Sequence, residues 1–428
     1  MRRYESYKDS GVEWLGEVPS HWGLTIGMNV FRENKRDNKG MKEKTVLSLN
    51  YGQIIIKPEE KLVGLVPESF ETYQIVEPND IIIRCTDLQN DQTSLRTGLA
   101  KDKGIITSAY LNLKVINNHS AKFLHYYLHA LDITKVLYKF GSGLRQNLSF
   151  LDFKRLPIID IPLSEQQKIA QFLDDKTAKI DQAVDLAEKQ IALLKEHKQI
   201  LIQNAVTRGL NPDAPLKDSG VEWIGQVPEH WEVKKLKFVS KINQHTLPEN
   251  TNGSLSIKYV DIGSVSFENG IEKVENFSFK NAPSRARRLA NRGDIVVSTV
   301  RTYLKAITMV KEEHQDCIFS TGFAVITSNK CLEDNFFELY AKSDAFTEQV
   351  SVFSKGMSYP AINSTDLSNL WITVPPISEQ QKIADYLEIQ VSKINQAIAL
   401  KTAHIEKLKE YKSVLINDVV TGKVQVSV

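Results

Sequence analysis

The sequence predicts an α+β protein of two similar halves, each an α/β module followed by one long helix, with the two helices paired as an antiparallel coiled coil. Three observations predict it: a duplication of a whole module-plus-helix unit, a heptad seam in both copies, and strand-like runs confined to the segments between. DSGVEWLGEVPSHW at 9–22 returns as DSGVEWIGQVPEHW at 218–231, an offset of 218 − 9 = 209. SEQQKIAQFLDDKTAKIDQAV at 164–184 returns as SEQQKIADYLEIQVSKINQAI at 378–398, offset 378 − 164 = 214. IALLKEHKQILIQNAVT at 191–207 matches IEKLKEYKSVLINDVVT at 405–421 at that same offset, and PNDIIIRCT at 78–86 resembles RGDIVVSTV at 292–300, placing Asp80 over Asp294.

Each SEQQ segment opens a helix. Ser164 and Ser378 stand three residues before Gln167 and Gln381, an S-x-x-Q capping box, with Pro162 and Pro376 just upstream. The first helix carries apolar residues at Leu173, Ile180, Val184, Ala187, Ile191, Leu194, Leu201 and Ala205, with Thr177 and Lys198 in the two missing places. The second carries Leu387, Val391, Ile394, Ile398, Ile405, Leu408, Leu415 and Val419, and breaks at Lys401 and Lys412. At 1.5 Å per residue such helices span on the order of 60 Å, longer than a globular core requires, so the apolar stripe needs a partner. Each helix could cap its own module, but equal lengths and matching seams favour pairing with each other. Gly209 and Pro212 end the first helix and Thr421-Gly422 the second.

The segments between are strand-rich and mostly unlike each other. QIIIK at 53–57, DIIIRC at 80–85, YLNLKVI at 110–116, SIKYVDI at 256–262, DIVVSTV at 294–300 and GFAVITS at 322–328 read as strands. AKFLHYYLHAL at 121–131 and DNFFELYAKSDAF at 334–346 read as shorter helices. The expected boundaries are a first module at 1–163, a spacer helix at 164–210, a second module at 211–377, and a second spacer helix with its tail at 378–428.

Composition is that of an ordinary globular protein: 428 residues, 42% hydrophobic, 25% charged, net charge +2. The polar start MRRYESYKDS has no apolar leader, no run suggests a membrane span, and Cys85, Cys317 and Cys331 lack metal-site spacing. A cytoplasmic, metal-free chain is expected. Global charge gives no sign of a nucleic-acid partner, so any such surface must be local.

Local candidates exist. GSGLRQNL places Arg145, Gln146 and Asn147 behind two glycines, and the second copy has Lys355, Ser358 and Tyr359 there. Arginine pairs with guanine, and glutamine or asparagine with adenine, in the major groove. Two further loops follow the DII and DIV strands: one carries Gln92 and Arg96, the other Arg301, Tyr303 and Lys305. SRARRLANRG at 284–293 adds Arg287 and Arg288, flanked by Arg285 and Arg292, as a phosphate-gripping patch. No GxxxxGK[ST] occurs, GSG follows a helix rather than a strand, and Val374-Pro375-Pro376-Ile377 lacks the polar and aromatic residues of an amino-methyltransferase loop. Asp218, Glu232 and Lys234 could be drawn as a nuclease triad, but Asp218 belongs to the repeated peptide and the first copy has Gly23-Leu24-Thr25 in place of Glu232-Val233-Lys234. His21 and His230, beside tryptophan, are expected to pack. No catalytic constellation emerges.

Two unlike α+β modules, each introduced by SGVEWxGxVPxHW and followed by a SEQQKIA helix, closely resemble the DNA specificity subunit of Type I restriction–modification systems, over essentially the whole chain. The resemblance implies two target recognition domains, each reading one half of a split, asymmetric site in double-stranded DNA, and a helix pair that sets the unread gap. It implies as partners two adenine-methylating modification subunits and ATP-driven restriction subunits, with S-adenosylmethionine, ATP and Mg on those partners and no membrane. The interface of the helix pair would comprise Leu173, Ile180, Val184, Ile191, Leu194 and Leu201 on one side and Leu387, Ile394, Ile398, Ile405, Leu408 and Leu415 on the other. Trp14, Trp22, Trp223 and Trp231 would be packing anchors, and segment 1–23 would lie near the end of the second helix in a pseudo-twofold, ring-like arrangement. Two rivals remain: a scaffold of two interaction modules on a coiled-coil rod, without nucleic acid, and a fused modification enzyme.

Overall fold

The computed structural model describes residues 2–58, 60, 69–88, 90, 91, 93, 95–140 and 147–426. The chain divides into two compact units, Met1–Glu188 with Ala403–Val428, and Lys189–Thr402. Each unit holds one strand-rich module, part of one long helix and part of the other.

In the first unit, Phe31–Glu33, Tyr110–Val115, Ile81–Arg84 and Thr97–Leu99 form, in that order, a four-stranded antiparallel sheet. Helix Ala121–Ile133 buries Phe123, Leu124, Tyr127 and Leu128 in one core with Ile81, Ile83 and Leu113. The second unit repeats the plan with Ser240–Ile242, Phe323–Ser328, Ile295–Ser298 and Ile307–Met309. The expected helix at 334–346 divides there into Asp334–Ala341 and Asp344–Phe353, with Ser343 between them donating its hydroxyl to the Tyr340 carbonyl at 2.6 Å.

The two modules diverge outside that frame. The second adds a four-stranded sheet of Glu275–Ser278, Ser256–Val260, Cys317–Ser320 and Ala286–Leu289, in which Ser256–Val260 and Cys317–Ser320 run parallel. The described part of the first has two small ladders instead, Gln74–Val76 with Gly104–Ile106 and Leu47–Asn50 with Gln53–Ile56. Each module is entered and left through one antiparallel pair, Gly23–Ile26 with Pro157–Asp160 and Glu232–Lys235 with Trp371–Val374.

The long helices run Leu163–Arg208 and Ile377–Val420, 46 and 44 residues. Both begin one residue before the expected cap: the Pro162 carbonyl accepts from Glu165 and Gln166, and the Pro376 carbonyl from Glu379 and Gln380. Ser164 and Ser378 therefore lie within the first turn and form no capping box. Proline's preset φ and free carbonyl take over the capping role.

Within each unit the helices pair antiparallel. In the first, Leu173 and Ile180 share a buried cluster with Leu415, Ile416, Val419 and Val420, and Val184 and Leu408 pack against it. In the second, Ile202, Ala205 and Val206 share one with Ile383 and Leu387, with Leu201 and Val391 alongside. Ile191, Leu194, Ile394 and Ile398 are half-buried, and Ile405 is buried. The lysines that interrupt the seam fasten it: Lys412 Nζ reaches Asp181 Oδ1 at 2.6 Å, Lys401 Nζ reaches Gln190 Oε1 at 2.7 Å, and Lys198 Nζ reaches Asn395 Oδ1 at 3.2 Å. Partner numbers sum to 593, 591 and 593 (181 + 412, 190 + 401, 198 + 395), the near-constant sum of an antiparallel register. Polar residues in an apolar seam fix register at some cost in stability.

Candidate nucleic-acid interface

The repeated segments form one clasp, built twice. Each tryptophan peptide folds as a short hairpin, Tyr7–Asp9 with Glu17–Pro19 and Leu216–Asp218 with Gln226–Pro228. Trp22 and Trp231 are fully buried. Trp22 Nε1 donates to Glu165 Oε1 at 3.1 Å, and Trp231 Nε1 donates to Glu379 Oε2 at 2.8 Å. His21 and His230 remain half-exposed, lie edge-on to Trp22 and Trp231, and bond the same carboxylates, at 3.2 and 2.7 Å. Gln166 Nε2 donates to Ile161 O while its Oε1 accepts from the Ser120 N–H capping helix Ala121–Ile133, each at 2.8 Å. Gln380 does the same with Pro375 O and the Glu333 N–H, each at 2.8 Å. HW and SEQQ are repeated together because the Glu of one holds the Trp and His of the other, while the adjoining Gln holds the module's first helix.

The ends of the long helices complete each clasp. Gly209 (φ +77°) lies against Trp231 in the second unit. Gly422 (φ +78°) lies against Pro19 and Trp22 in the first, where any Cβ would collide with the Pro19 ring. Gln425 N–H donates to Arg2 O at 2.8 Å and Tyr7 Oη to Lys423 O at 3.1 Å, so the chain's two ends meet inside the first unit.

The clasp also reaches the variable loops. Trp14 packs edge-on against Phe140 with ring centroids 5.5 Å apart, and Trp223 against Phe353 at 6.2 Å. Phe140 and Phe353 immediately precede the GSGLRQNL and SKGMSY segments.

Those segments are joined to the loops after the DII and DIV strands. In the first unit Leu148 N–H donates to Cys85 O, and in the second Ile362 N–H donates to Thr299 O, both at 2.9 Å. These are equivalent bonds, since 299 − 85 = 214 and 362 − 148 = 214. The same frame thus carries a joined pair of unlike loops in each unit.

In the second unit the pair gathers most of the expected residues. Arg301 stacks over Tyr359 at 5.1 Å, Val300 bridges Ala361, and Thr302 Oγ1 lies 2.8 Å from Ser354 Oγ. Arg301 (φ +52°) and Lys305 (φ +47°) both hold the left-handed conformation around Thr302–Leu304, which costs energy for non-glycine residues. Lys305 Nζ donates to Thr347 Oγ1 at 3.1 Å and is half-buried. Tyr303, Lys355, Ser358 and Tyr359 are exposed, as is Met357 between them, a residue that polarity-based reading passed over. Arg287 and Arg288 do not join this group. They lie half-buried on strand Ala286–Leu289 of the other sheet, Arg287 over Phe279 at 4.7 Å and Arg288 bonded to Thr246 at 3.3 Å.

In the first unit Arg145, Gln146 and Gln92 lie outside the described residues. Asn147 is exposed, and its Oδ1 accepts from the Asp87 N–H at 2.9 Å. Arg96 requires a correction. It is 0% exposed and its guanidinium bonds carbonyls of its own loop, so it cannot contact a base or phosphate. Nearby, burial pushes the Asp132 carboxyl up to about 6, the Cys85 thiol up to about 12, and His125 and His129 down to about 4 and about 3. Among the described residues no group of three His, Cys, Asp or Glu could hold a metal ion, and no helix is long and apolar enough to cross a membrane.

Comparison with known proteins agrees with this architecture. The Type I restriction modification DNA specificity domain matches residues 30–195 and 228–410. The Type I restriction enzyme MjaVIII specificity subunit of Methanocaldococcus jannaschii is 26% identical over 366 residues, covering 82% of this chain and 80% of that protein. A chain solved in a study of complex assembly and conformational transition of the type I R-M system superposes with a TM-score of 0.70 at 16% identity, covering 95% of this chain and 99% of that one. The HsdS subunit from Thermoanaerobacter tengcongensis superposes with a TM-score of 0.54 at 16% identity, covering 95% and 98%.

Proposed function

Because this chain belongs to the Type I restriction modification DNA specificity family, whose members are the non-catalytic components of their complexes, we propose that each of its two modules reads one half of a split, asymmetric DNA site. The recognition domains would be 1–163 and 211–377, with the spacer helices at 164–210 and 378–428 setting the unread gap. One observation carries this reading: an equivalent frame in both units, marked by the Leu148–Cys85 and Ile362–Thr299 bonds, presents loops of unlike sequence. Asn147 in one unit and Arg301, Tyr303, Lys355, Ser358 and Tyr359 in the other offer donors and aromatic faces suited to base edges and phosphates. Arg287 and Arg288, on the separate sheet, would contribute only to backbone charge. The non-nucleic-acid scaffold explains neither the loop divergence nor the strained Arg301.

The outer faces of the helices support a reading of the partners. Leu186 and Ile200 on the first helix are exposed, as are Leu400 and Val414 on the second. They are repeat equivalents, since 400 − 186 = 214 and 414 − 200 = 214. Exposed apolar positions duplicated in this way suit two copies of one partner, which we identify as two modification subunits, with restriction subunits joining for cleavage. Methyl transfer and ATP use then belong to those partners.

Co-expression with the modification subunits, followed by mapping of methylated adenines in host DNA, tests the reading. The expected result is one motif of two short, unlike half-sites around a fixed gap. A continuous motif, or no motif dependent on this chain, overturns it.

A further inference from the structure

Arg96 is among the largest fully buried side chains, and the partners of its guanidinium among the described residues are four main-chain carbonyls and one phenol oxygen. Nε donates to Tyr138 Oη at 3.0 Å, Nη1 to Arg84 O at 3.3 Å and Thr86 O at 2.8 Å, and Nη2 to Asp87 O at 3.2 Å and also to Asp91 O. An arginine has five N–H donors in a planar fork, and here five acceptors answer them. Four are main-chain carbonyls of one short stretch, 84–91. The Arg96 backbone N–H is itself held by Asp132 Oδ2 at 2.6 Å, on helix Ala121–Ile133. Tyr138 stacks under the guanidinium at 5.2 Å and donates to Asp91 O at 3.2 Å. Burying a cation is costly unless its donors are met, so this arrangement holds the carbonyls where they are.

The second unit shows what the device is for. Arg84 N–H donates to Arg96 O, and Ser298 N–H to Ala306 O, each at 2.9 Å, so the two hairpin loops close on equivalent pairs. The first loop runs 85–95, or 95 − 85 + 1 = 11 residues, and the second 299–305, or 305 − 299 + 1 = 7. Where the longer loop has Arg96, the shorter one has the buried Ala306. A longer loop carries more conformational entropy and keeps one shape only if something packs inside it. Loop 85–95 is also the one that holds Asn147, through the Asp87 N–H at 2.9 Å.

We propose that Arg96 is a positioning residue for DNA specificity: it fixes the carbonyls of Arg84, Thr86, Asp87 and Asp91, and through Asp87 the side chain of Asn147, in the conformation that reads the first unit's half-site. This rests on the half-site reading above. Lysine keeps the charge but has three donors on a point and no planar fork, so it cannot span the five acceptors.

The test is methylation mapping of the full complex with Arg96→Lys. Discrimination between preferred and next-best bases should fall about tenfold or more at positions of one half-site, while the other half-site stays as stringent as before. The unchanged half-site reports that the chain is folded and assembled. A role in stability alone would lower methylation at all sites with the motif intact, and that result overturns the proposal. Should Arg96→Lys abolish assembly, Tyr138→Phe removes one acceptor and one donor but keeps the ring. It must then blur the same half-site, and an unaltered motif counts against Arg96. Exchange of 24–163 for a relative's segment separates the two ideas. If the exchange moves a half-site while both substitutions leave stringency intact, only the Arg96 role falls; if the exchange moves none, the half-site reading fails.

Discussion

Exchange of residues 24–163 for the corresponding segment of a relative replaces one half of the methylated motif completely and leaves the other half and the gap unchanged. The graft points are set by structure. The segment enters through Gly23–Ile26 and leaves through Pro157–Asp160, strands that pair residue for residue from Gly23↔Asp160 to Ile26↔Pro157. A graft that keeps this ladder keeps the module seated on the clasp, since Trp22, Glu165 and Gln166 all lie outside it. Contacts that cross the boundary include Trp14 onto Phe140, Gln166 onto the Ser120 N–H and the Ile161 carbonyl, and Lys122 and Tyr126 onto Asp174. The donor segment therefore needs an aromatic at the first of these positions, whereas a backbone N–H is supplied by any residue but proline. Sequencing-based mapping of methylated adenines reads the outcome. A motif altered in both halves, or in neither, contradicts separate readers.

Lengthening both long helices by three heptads, after Glu188 and after Thr402, widens the gap by about nine base pairs. Twenty-one residues add about 31 Å at 1.5 Å per residue, close to the 34–36 Å of one DNA turn. Whole heptads preserve the phase of the seam, so the Lys412–Asp181 and Lys198–Asn395 contacts keep their register on either side of the insertions. A single heptad adds about 10 Å, or about three base pairs, and carries the second half-site roughly a third of a turn around the duplex. Methylation should fall with one heptad and recover with three. Retention of the original gap after the longer insertion would mean that the helices do not measure distance.

Much of the frame was legible because it is repeated or periodic. The strands at 81–84, 110–115, 295–298 and 323–328 fall within the β-branched runs that announced them. The lysines that interrupt the heptads are visible in the sequence only as breaks in the seam; their partners Asp181, Gln190 and Asn395 lie 231, 211 and 197 residues away, and only the fold pairs them. The start of each helix was misjudged by one residue because Pro162 and Pro376 read equally well as breakers and as caps.

The clasp was hidden for a different reason. Glu165 and Trp22 are 143 residues apart, and no local pattern links them. The only available signal was that HW and SEQQ are duplicated together. Arg96 was misassigned since an arginine in a polar loop carries no mark of which way it points. Only the fold reveals that Arg84, Thr86, Asp87 and Asp91 turn their carbonyls inward around it. Its neighbour Asn147 has a side-chain oxygen committed to Asp87, which a count of hydrogen-bonding residue types cannot disclose.

A photo-crosslinking amino acid placed at Asn147 or at Tyr359, in the complete complex bound to its mapped site, asks where each unit lies on DNA. Adducts from position 147 should fall in one half-site only, and adducts from position 359 in the other only. Adducts from both positions within a single half-site, or in the gap between them, would contradict two separate readers.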